Sequence, residues 1–287
     1  MGDISVFAQT DVGKVRKGNE DSFFVVDTTS EKSASLSEVR QYNLNEGNKI
    51  FMVADGMGGP AAGEVASLLA VNTVLKEMTS KTASAGSEFV QILDDSLQKA
   101  NTAILEKASG NSEMRGMGTT ATLAGISNNK LFIGQVGDSR AYIVRNDTIA
   151  QVTKDQSFVS QLVALGTITE EEAEKHPQKN VILQALGSHV SMQVAATSID
   201  LYQNDYLLLC SDGLSGLVKD EEMKSIVQSS SDLVFACKEL IDLANKRGGH
   251  DNITVVIAHF SGKVFSPPDK NGTVACKVIS DYKPQFA

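Results

Sequence analysis

Acidic side chains recur where the apolar segments of this chain begin or end. The segments FMVADG, FIGQVGDS and LLLCSDG each deliver one aspartate beside a glycine, namely Asp55, Asp138 and Asp212. Glycine permits tight turns and the close approach of another group to the backbone. Just before two other apolar segments, GNED and GHDNIT supply further carboxylates. These are Glu20, Asp21 and Asp251.

One aspartate at a strand end is most often part of a turn or a helix cap. Five such junctions in one chain favour a different interpretation. If the strand ends converge, the carboxylates repel one another and are forced to bind protons, and a bound cation removes that cost. Oxygen ligands without clustered Cys or His favour hard ions such as Mg²⁺ or Mn²⁺. We therefore expect a site for two divalent ions, which can activate water and stabilise phosphoryl transfer.

A phosphate group also needs a cationic partner, and Arg16, four residues before Glu20, is the candidate. The planar guanidinium matches the oxygens of a phosphate, although most arginines are simply exposed surface cations. Other catalytic motifs are missing from the sequence. The glycines of Gly56–Gly59 are not followed by the GK[ST] of a phosphate loop, no GxSxG is present, and Cys210 lacks the CxxxxxR of cysteine phosphatases.

Short β-rich segments separated by turn residues predict hairpins and hence antiparallel sheets. The predicted strands are Ile4–Gln9, Ser22–Val26, Lys49–Ala54, Thr119–Ile126, Lys130–Val136, Ala141–Arg145, Val194–Ile199, Tyr206–Cys210 and Ile253–His259. Helical periodicity predicts helices at about Ala61–Met78, Phe89–Ile104 and Asp232–Lys246, with two short helices within Asp155–Pro177. This mixture predicts an α+β fold, with two packed sheets covered by helices.

Composition excludes several classes of protein. The chain has 287 residues, 41% of them hydrophobic, which suits one large domain or two small ones. A net charge of −9 argues against a nucleic-acid partner. No apolar run reaches the roughly 18 residues of a membrane span. Three widely spaced cysteines favour a reducing compartment, so we expect a cytoplasmic protein.

Six motifs together resemble the metal-dependent protein phosphatases of the protein phosphatase 2C family, in its bacterial form. The motifs are TDVGKVRKGNED (Thr10–Asp21), VADGMGG (Val53–Gly59), GMGTTAT (Gly116–Thr122), VGDSRAY (Val136–Tyr142), SDGL (Ser211–Leu214) and GGHDNIT (Gly248–Thr254). Each motif alone is weak, but six in the family's order are specific. They span about Ile4 to Phe260, nearly the whole chain.

The resemblance implies a β-sandwich of two antiparallel sheets flanked by helices, with Mn²⁺ or Mg²⁺ at one end. It also implies hydrolysis of phosphoserine and phosphothreonine by a metal-activated water, without a covalent intermediate. The substrates would be phosphoproteins made by a serine/threonine kinase. The implied roles are Asp55 bridging two core ions, a carbonyl ligand from Gly56, Asp212 and Asp251 on the first ion, Glu20 and Asp21 acting through waters, Arg16 on the substrate phosphate, and Asp138 with Asp212 on a weaker third ion.

The resemblance also implies a domain organisation. Residues 1–261 form the catalytic domain, with a mobile flap at about 156–186, and residues 262–287 form a tail to which the sequence gives no role. The polar, serine-rich stretch Thr28–Asn48 indicates a surface insertion. We expect a monomer without membrane or nucleic-acid partners.

Two departures from the family pattern leave questions of mechanism. Many eukaryotic members have a histidine, a proposed general acid, where this chain has Met57, and relatives often have a histidine at the position of Gln156. Two alternative functions also remain. The chain could be a phosphatase-fold binding module with little turnover, or a partner-switch or small-phosphoester phosphatase with the same two-metal chemistry.

Overall fold

The structure is a computed structural model that describes residues 2–28, 40–43, 47–80, 86–127, 129–269 and 272–283. The strands are β1 (Gly2–Asp11), β2 (Asp21–Asp27), β3 (Arg40–Asn43), β4 (Lys49–Met57), β5 (Gly118–Thr119), β6 (Ala121–Ser127), β7 (Lys130–Val136), β8 (Arg140–Arg145), β9 (Thr148–Gln151), β10 (Ala195–Asp200), β11 (Tyr206–Cys210), β12 (Ile253–Gly262) and β13 (Cys276–Ser280). The helices are α1 (Pro60–Ser80), α2 (Gly86–Ser109), α3 (Phe158–Ala164), α4 (Glu170–Glu174), α5 (Asp212–Ser215), α6 (Asp220–Ser229) and α7 (Leu233–Lys246), with a short 3₁₀ turn at Ser112–Met114.

Two antiparallel sheets form the body of the protein. One has the strand order β3-β1-β12-β11-β8-β9, and the other has β13-β10-β7-β6-β4-β2, with β5 beside the end of β4. Apolar side chains from both sheets meet in one buried core, as Val6 and Ile143 of the first sheet do with Val53 and Ile133 of the second. Helices cover the two outer faces. The predicted α+β sandwich flanked by helices is therefore confirmed.

Helix α2 lies against the sheet at two glycines. A Cβ on Gly125 would stand 2.3 Å from the ring of Phe89, and one on Gly134 would stand 2.1 Å from the Leu93 side chain. Both large side chains belong to α2 and are buried. The missing Cβ atoms therefore let the helix pack closely on β6 and β7, as a β-strand glycine permits.

The predicted flap region contains α3 and α4, as the two-helix prediction requires. Helix α4 begins with a capping box in which Thr169 accepts from the Glu172 amide and Glu172 accepts from the Thr169 amide. Its acidic residues Glu170–Glu174 include no buried side chain, so they form a solvated face rather than a site. The mobility of this segment stays a prediction.

The structure adds three strands that sequence patterns do not indicate. Within Thr28–Asn48, residues 29–39 and 44–46 lie outside the described part of the chain, and Arg40–Asn43 pairs with β1 as β3. Strand β9 pairs with β8. In the tail, Phe265 is buried in the core between the sheets, and β13 pairs with β10.

None of the helices in the described ranges has the length and apolar character that crossing a bilayer requires.

A buried ion pair ties the end of β8 to the residue before β11. The guanidinium of Arg145 donates to both carboxylate oxygens of Asp205, at 2.9 and 2.7 Å, and both side chains are almost fully buried. Arg145 also donates to the carbonyls of Asp200 and Thr273, and it lies 4.4 Å above the centroid of the Tyr202 ring. The pair therefore joins β8, the β10–β11 turn and the tail.

We expect Arg145→Met to lower the free energy of unfolding by about 3–5 kcal/mol, because it leaves the Asp205 carboxylate buried without its partner. The matched control is Lys130→Met in the Lys130–Asp200 pair, whose side chains are 52% and 63% exposed. That change should cost less than about 1 kcal/mol. Urea denaturation of both variants measures the difference, and equal losses would contradict the assigned role of the buried pair.

Candidate metal centre

The predicted aspartates converge where strands of both sheets end. Asp21, the first residue of β2, lies opposite Asp55 in the antiparallel β2–β4 register. The buried carboxyl of Asp55 also interacts electrostatically with Asp212, Asp138 and Asp251. Each aspartate comes from a different segment, so only the folded sandwich brings them together.

Glu20, Gly56 and Arg16 join the same cluster. The amide of Gly56 donates to the Glu20 carbonyl at 3.1 Å. Arg16 donates to the Asp251 carboxylate, with 2.7 Å between Nη2 and Oδ2, while its side chain is 47% exposed. Arg16 is therefore both ion-paired with the cluster and open to solvent. All the site residues that the sequence predicts lie in this one region.

Small residues allow the close approach of the segments that carry these groups. A Cβ on Gly56 would stand 2.2 Å from the carbonyl oxygen of Gly63, in the first turns of α1. A Cβ on Gly63 would in turn stand 1.9 Å from Oε2 of Glu20. Any larger residue at either position would move α1 or the Glu20 carboxylate, so the glycine of VADG has a steric role as well as a backbone one.

Two hydroxyl groups hold Asp21, and sequence reasoning missed both. Ser211 Oγ and Thr254 Oγ1 donate to Asp21 Oδ2 at 2.7 and 2.6 Å. Ser211 precedes Asp212 in the sequence, and Thr254 ends the GHDNIT motif. Their position beside predicted ligands is the signal that could have identified them.

Asn252 performs a similar role for the Glu20 segment. Its Oδ1 accepts from the Glu20 amide at 2.8 Å, and its Nδ2 donates to the carbonyls of Val12 and Gly18 at 2.9 Å each. Asn252 directly follows Asp251 in the chain. One buried amide therefore fixes the loop that carries Arg16 against the loop that carries Asp251.

The GMGTTAT motif positions Asp55. The Asp55 amide donates to Thr120 Oγ1 at 2.9 Å, and the Thr120 amide donates to the Asp55 carbonyl at 2.9 Å. Thr119 Oγ1 donates to the same carbonyl at 2.8 Å. These bonds fix the backbone of Asp55 and leave its carboxyl group free to face the cluster.

Burial and mutual repulsion raise the pKa values of buried carboxyl groups in the cluster. Burial raises the pKa of Asp55 well above its ordinary value, and the charges of Asp21 and Asp212 add to the effect. Burial likewise raises the pKa of Asp21 to about 7, against the opposing hydroxyl bonds from Thr254 and Ser211. Burial, followed by the charge of Asp212, raises the pKa of Asp138 to about 8. Burying these carboxyl groups together without a bound positive charge therefore destabilises the folded protein.

The donor set fits divalent cations. Oδ1 of Asp21 and Oδ1 of Asp212 are buried and have no hydrogen-bond partner in the described part of the protein. Such orphaned carboxylate oxygens are rare in proteins and suit a hard cation. No three acidic, histidine or cysteine side chains in the described ranges are already arranged as a ligating group. Small side-chain rotations and water ligands would therefore be needed to complete the coordination shell of an ion bound there.

Comparison with known proteins agrees with this site. Residues 39–247 match the family model described as Protein phosphatase 2C. The serine/threonine phosphatase stp of Listeria welshimeri is 36% identical over 87% of this chain and 93% of its own length. The solved serine/threonine phosphatase of S. agalactiae superimposes with a TM-score of 0.80 at 32% identity, over 89% of this chain and 98% of its own.

A second solved structure bears directly on the metals. The catalytic domain of the serine/threonine protein phosphatase PstP, solved in complex with two manganese ions, has a TM-score of 0.75 at 34% identity. The alignment covers 91% of this chain and all of that one. The family match over most of the chain, the carboxylate cluster and the shared sandwich lead to one conclusion: this chain belongs to the protein phosphatase 2C family.

Proposed function

We propose that this chain is a protein serine/threonine phosphatase that hydrolyses phosphoserine and phosphothreonine and depends on Mn²⁺ or Mg²⁺. The observation that carries the proposal is the buried group of mutually repelling aspartates with unpartnered oxygens. The names of the relatives and the two manganese ions in the PstP complex support it.

The ligand assignment is part of the proposal. Asp55 and the Gly56 carbonyl would serve two core ions, Asp212 and Asp251 would hold one of them, and Glu20 and Asp21 would act through waters. Asp138 would share a weaker third ion with Asp212. The electrostatic contacts among these groups support the assignment. When bound, divalent ions at such a site activate water for attack and neutralise charge on the phosphoryl group.

The chain's own residues bind and orient the substrate. Arg16 is open to solvent on one side and ion-paired with Asp251 on the other. A phosphate that enters the site can replace Asp251 as the partner of the Arg16 guanidinium. Phosphate and carboxylate both present oxygens that accept from its planar set of N–H donors. Met57 cannot donate a proton, so water must protonate the leaving alkoxide.

The two alternatives differ from this proposal in their chemistry. A binding module would not need the full set of acidic residues, yet Glu20, Asp21, Asp55, Asp138, Asp212 and Asp251 are all present. A small-phosphoester or partner-switch phosphatase would keep the same cluster but select its substrate differently. The cluster therefore disfavours the first alternative, and substrate preference tests the second.

The experiment compares turnover on phosphoserine and phosphothreonine peptides with turnover on an aryl phosphate, in the presence of Mn²⁺. We expect turnover of both phosphopeptides. Absence of turnover with both Mn²⁺ and Mg²⁺ would support the binding module and overturn the proposal. Hydrolysis of the aryl phosphate without hydrolysis of any phosphopeptide or phosphoprotein would support a small-phosphoester enzyme.

We expect Arg16→Ala to raise KM for phosphopeptides by roughly tenfold or more, the loss of a charge-assisted hydrogen bond of about 1.5–3 kcal/mol. The affinity for Mn²⁺ should change little, because Arg16 is not a ligand. The matched control is Lys17→Ala, a neighbouring exposed cation, which should leave KM unchanged. Steady-state kinetics and calorimetry make the two measurements. An unchanged KM in Arg16→Ala would show that Arg16 is an ordinary surface cation without a role in phosphate binding.

We also propose that the substrates are products of a serine/threonine kinase and that the chain acts in the cytoplasm as a monomer. The free thiols of Cys210, Cys237 and Cys276 support a reducing compartment. Light scattering of the purified protein tests the monomer.

A further inference from the structure

Asp138 lies in a turn whose backbone carbonyls are hydrogen-bonded to a buried glutamine, Gln135. The side chain of Gln135 donates from Nε2 to the carbonyls of Gly137 and Ser139, at 3.0 and 2.7 Å. Its Oε1 accepts from Thr122 Oγ1 at 2.7 Å. The two carbonyls flank Asp138 on either side, so one amide group fixes the backbone on both sides of this carboxylate.

A second glutamine continues the contact. Gln156 Oε1 accepts from the Gly137 amide at 2.9 Å, and Gln156 Nε2 donates to the Gln135 carbonyl at 3.1 Å. The same Oε1 accepts from Gln184 Nε2 at 2.9 Å. Gln184 in turn exchanges two hydrogen bonds with the backbone of Gln193, at 2.7 and 2.8 Å. A continuous series of amide hydrogen bonds therefore runs outward from the Asp138 turn.

The outer members of this series lie at the base of the predicted flap. The two ends of the flap pair with each other, because Ser157 and Ile182 form a β-bridge and the Leu183 amide donates to the Gln156 carbonyl at 2.7 Å. The Leu186 amide and carbonyl bond to Thr119, the residue that also holds the Asp55 carbonyl. Movement of the flap base would therefore shift the backbone that carries Asp138 and Asp55.

The three glutamines are buried, so the loss of one of these hydrogen bonds would leave a polar group unpaired away from water. Gln135 and Gln156 are each 2% exposed, and Gln184 is 7% exposed. An unpaired buried amide costs about 1–3 kcal/mol, so the series has one favoured arrangement. A residue that both donates and accepts is required at Gln156, because its partners are an amide N–H on one side and a carbonyl on the other.

We propose that Gln135, Gln156 and Gln184 are positioning residues that fix the turn carrying Asp138 and link its position to the base of the flap. The effect on turnover rests on the proposed phosphatase function. The effect on the turn itself does not, because the hydrogen bonds belong to the protein alone. Neither Gln156 nor Gln184 is among the proposed metal ligands.

The test compares Gln156→Met with Gln156→His. Methionine fills the space but cannot bond to the Gly137 amide or the Gln135 carbonyl, whereas a neutral imidazole can accept from one and donate to the other. In Gln156→Met we expect faster amide hydrogen exchange at residues 137–140. We also expect a kcat on phosphopeptides lower by about tenfold, the size of effect seen when a residue that holds a metal ligand in place is lost. The affinity of the two core sites for Mn²⁺ should change little, because Gln156 is not among their proposed ligands. Gln156→His should retain most of the wild-type kcat.

The matched control is Asn101→Leu. Asn101 is also 2% exposed, and it also makes two bonds, to the Gly187 amide and the His189 carbonyl, but none to the Asp138 turn. We expect it to lower the melting temperature without changing exchange at residues 137–140. If Gln156→Met changes exchange and kcat no more than Asn101→Leu does, the proposal is overturned.

A second variant covers the case in which Gln156→Met does not fold. Gln184 is one hydrogen bond further from the turn than Gln156. Gln184→Met should therefore show smaller changes of the same sign in amide exchange and kcat. Unchanged values would overturn the link between the turn and the flap. A wild-type protein without phosphatase turnover would contradict the proposed function alone, because the exchange measurement decides the positioning role without catalysis.

Discussion

Replacing Asp55 with asparagine should lower turnover at least about 100-fold, more than the loss of a residue that only hydrogen-bonds to a metal ligand, and should also stabilise the metal-free protein. Asp55 is the group on which the charges of four other aspartates act. Asparagine keeps the size of the side chain but removes one negative charge and one ligand oxygen. The loss of charge relieves repulsion in the metal-free cluster, and the loss of the oxygen weakens ion binding.

The two effects have opposite signs, which makes the prediction sharp. In chelator, the melting temperature of Asp55→Asn should exceed that of wild type by about 2–4 °C, the shift that 1 kcal/mol gives a domain of this size. In Mn²⁺ the order should reverse, since only wild type gains the full binding energy. The turnover of wild type in chelator gives the metal-free background with which the turnover of Asp55→Asn is compared. Asp242→Asn, an exposed carboxyl on α7, should change none of these quantities. Wild-type affinity for Mn²⁺ in Asp55→Asn would contradict the ligand role.

Asp138→Ala should lower kcat on phosphopeptides by at least about tenfold while two ions and the fold are retained. The alternative role for Asp138 is a cap of the turn before Ser139 and Arg140. Loss of a cap would cost about 0.5–2 kcal/mol and leave turnover largely intact. The Asp138 carboxyl hydrogen-bonds to its own backbone amide, whereas a cap accepts from an amide two or three residues further along the chain.

Three measurements on one protein separate the two roles of Asp138. Calorimetry gives the number of Mn²⁺ ions, thermal melting gives stability, and steady-state kinetics give kcat. Asp94→Ala is the matched control, because burial also raises the pKa of this carboxyl but it lies on α2. A lower melting temperature with near-normal kcat in Asp138→Ala would favour the cap and remove the third ion from the mechanism.

Strands rich in apolar residues could be predicted from sequence residue by residue. Lys130–Val136 and Tyr206–Cys210 have the predicted bounds, because strands buried in the sandwich consist mostly of apolar residues and end at polar turns. Strand β13 could not be predicted, since all five of its side chains are exposed. Its conformation depends on hydrogen bonds to β10, which lies some 80 residues earlier in the chain.

The site shows the same division. Carboxylates beside glycines in short motifs identify the cluster, because acidic residues at apolar strand ends are conspicuous. The hydroxyls of Ser211 and Thr254 are not conspicuous, and they meet Asp21 across 190 and 233 residues of sequence. The side-chain contacts of Gln156 and Gln184 span only 9 to 28 residues, but no pattern in the intervening sequence indicates them either. Ordinary polar residues acquire such roles only through tertiary contact, which a local pattern does not encode.

The tail strand has a practical consequence for anyone who shortens this protein. The motifs end near Phe260, which invites truncation there. A chain cut at that point would lose β13, the buried Phe265 and the Thr273 carbonyl that binds Arg145. Strand β10 would then present its unpaired amides and carbonyls along an open sheet edge, a template for intermolecular pairing. Shortened versions are expected to aggregate during expression, whereas proteins that retain residues through 283 keep this edge covered.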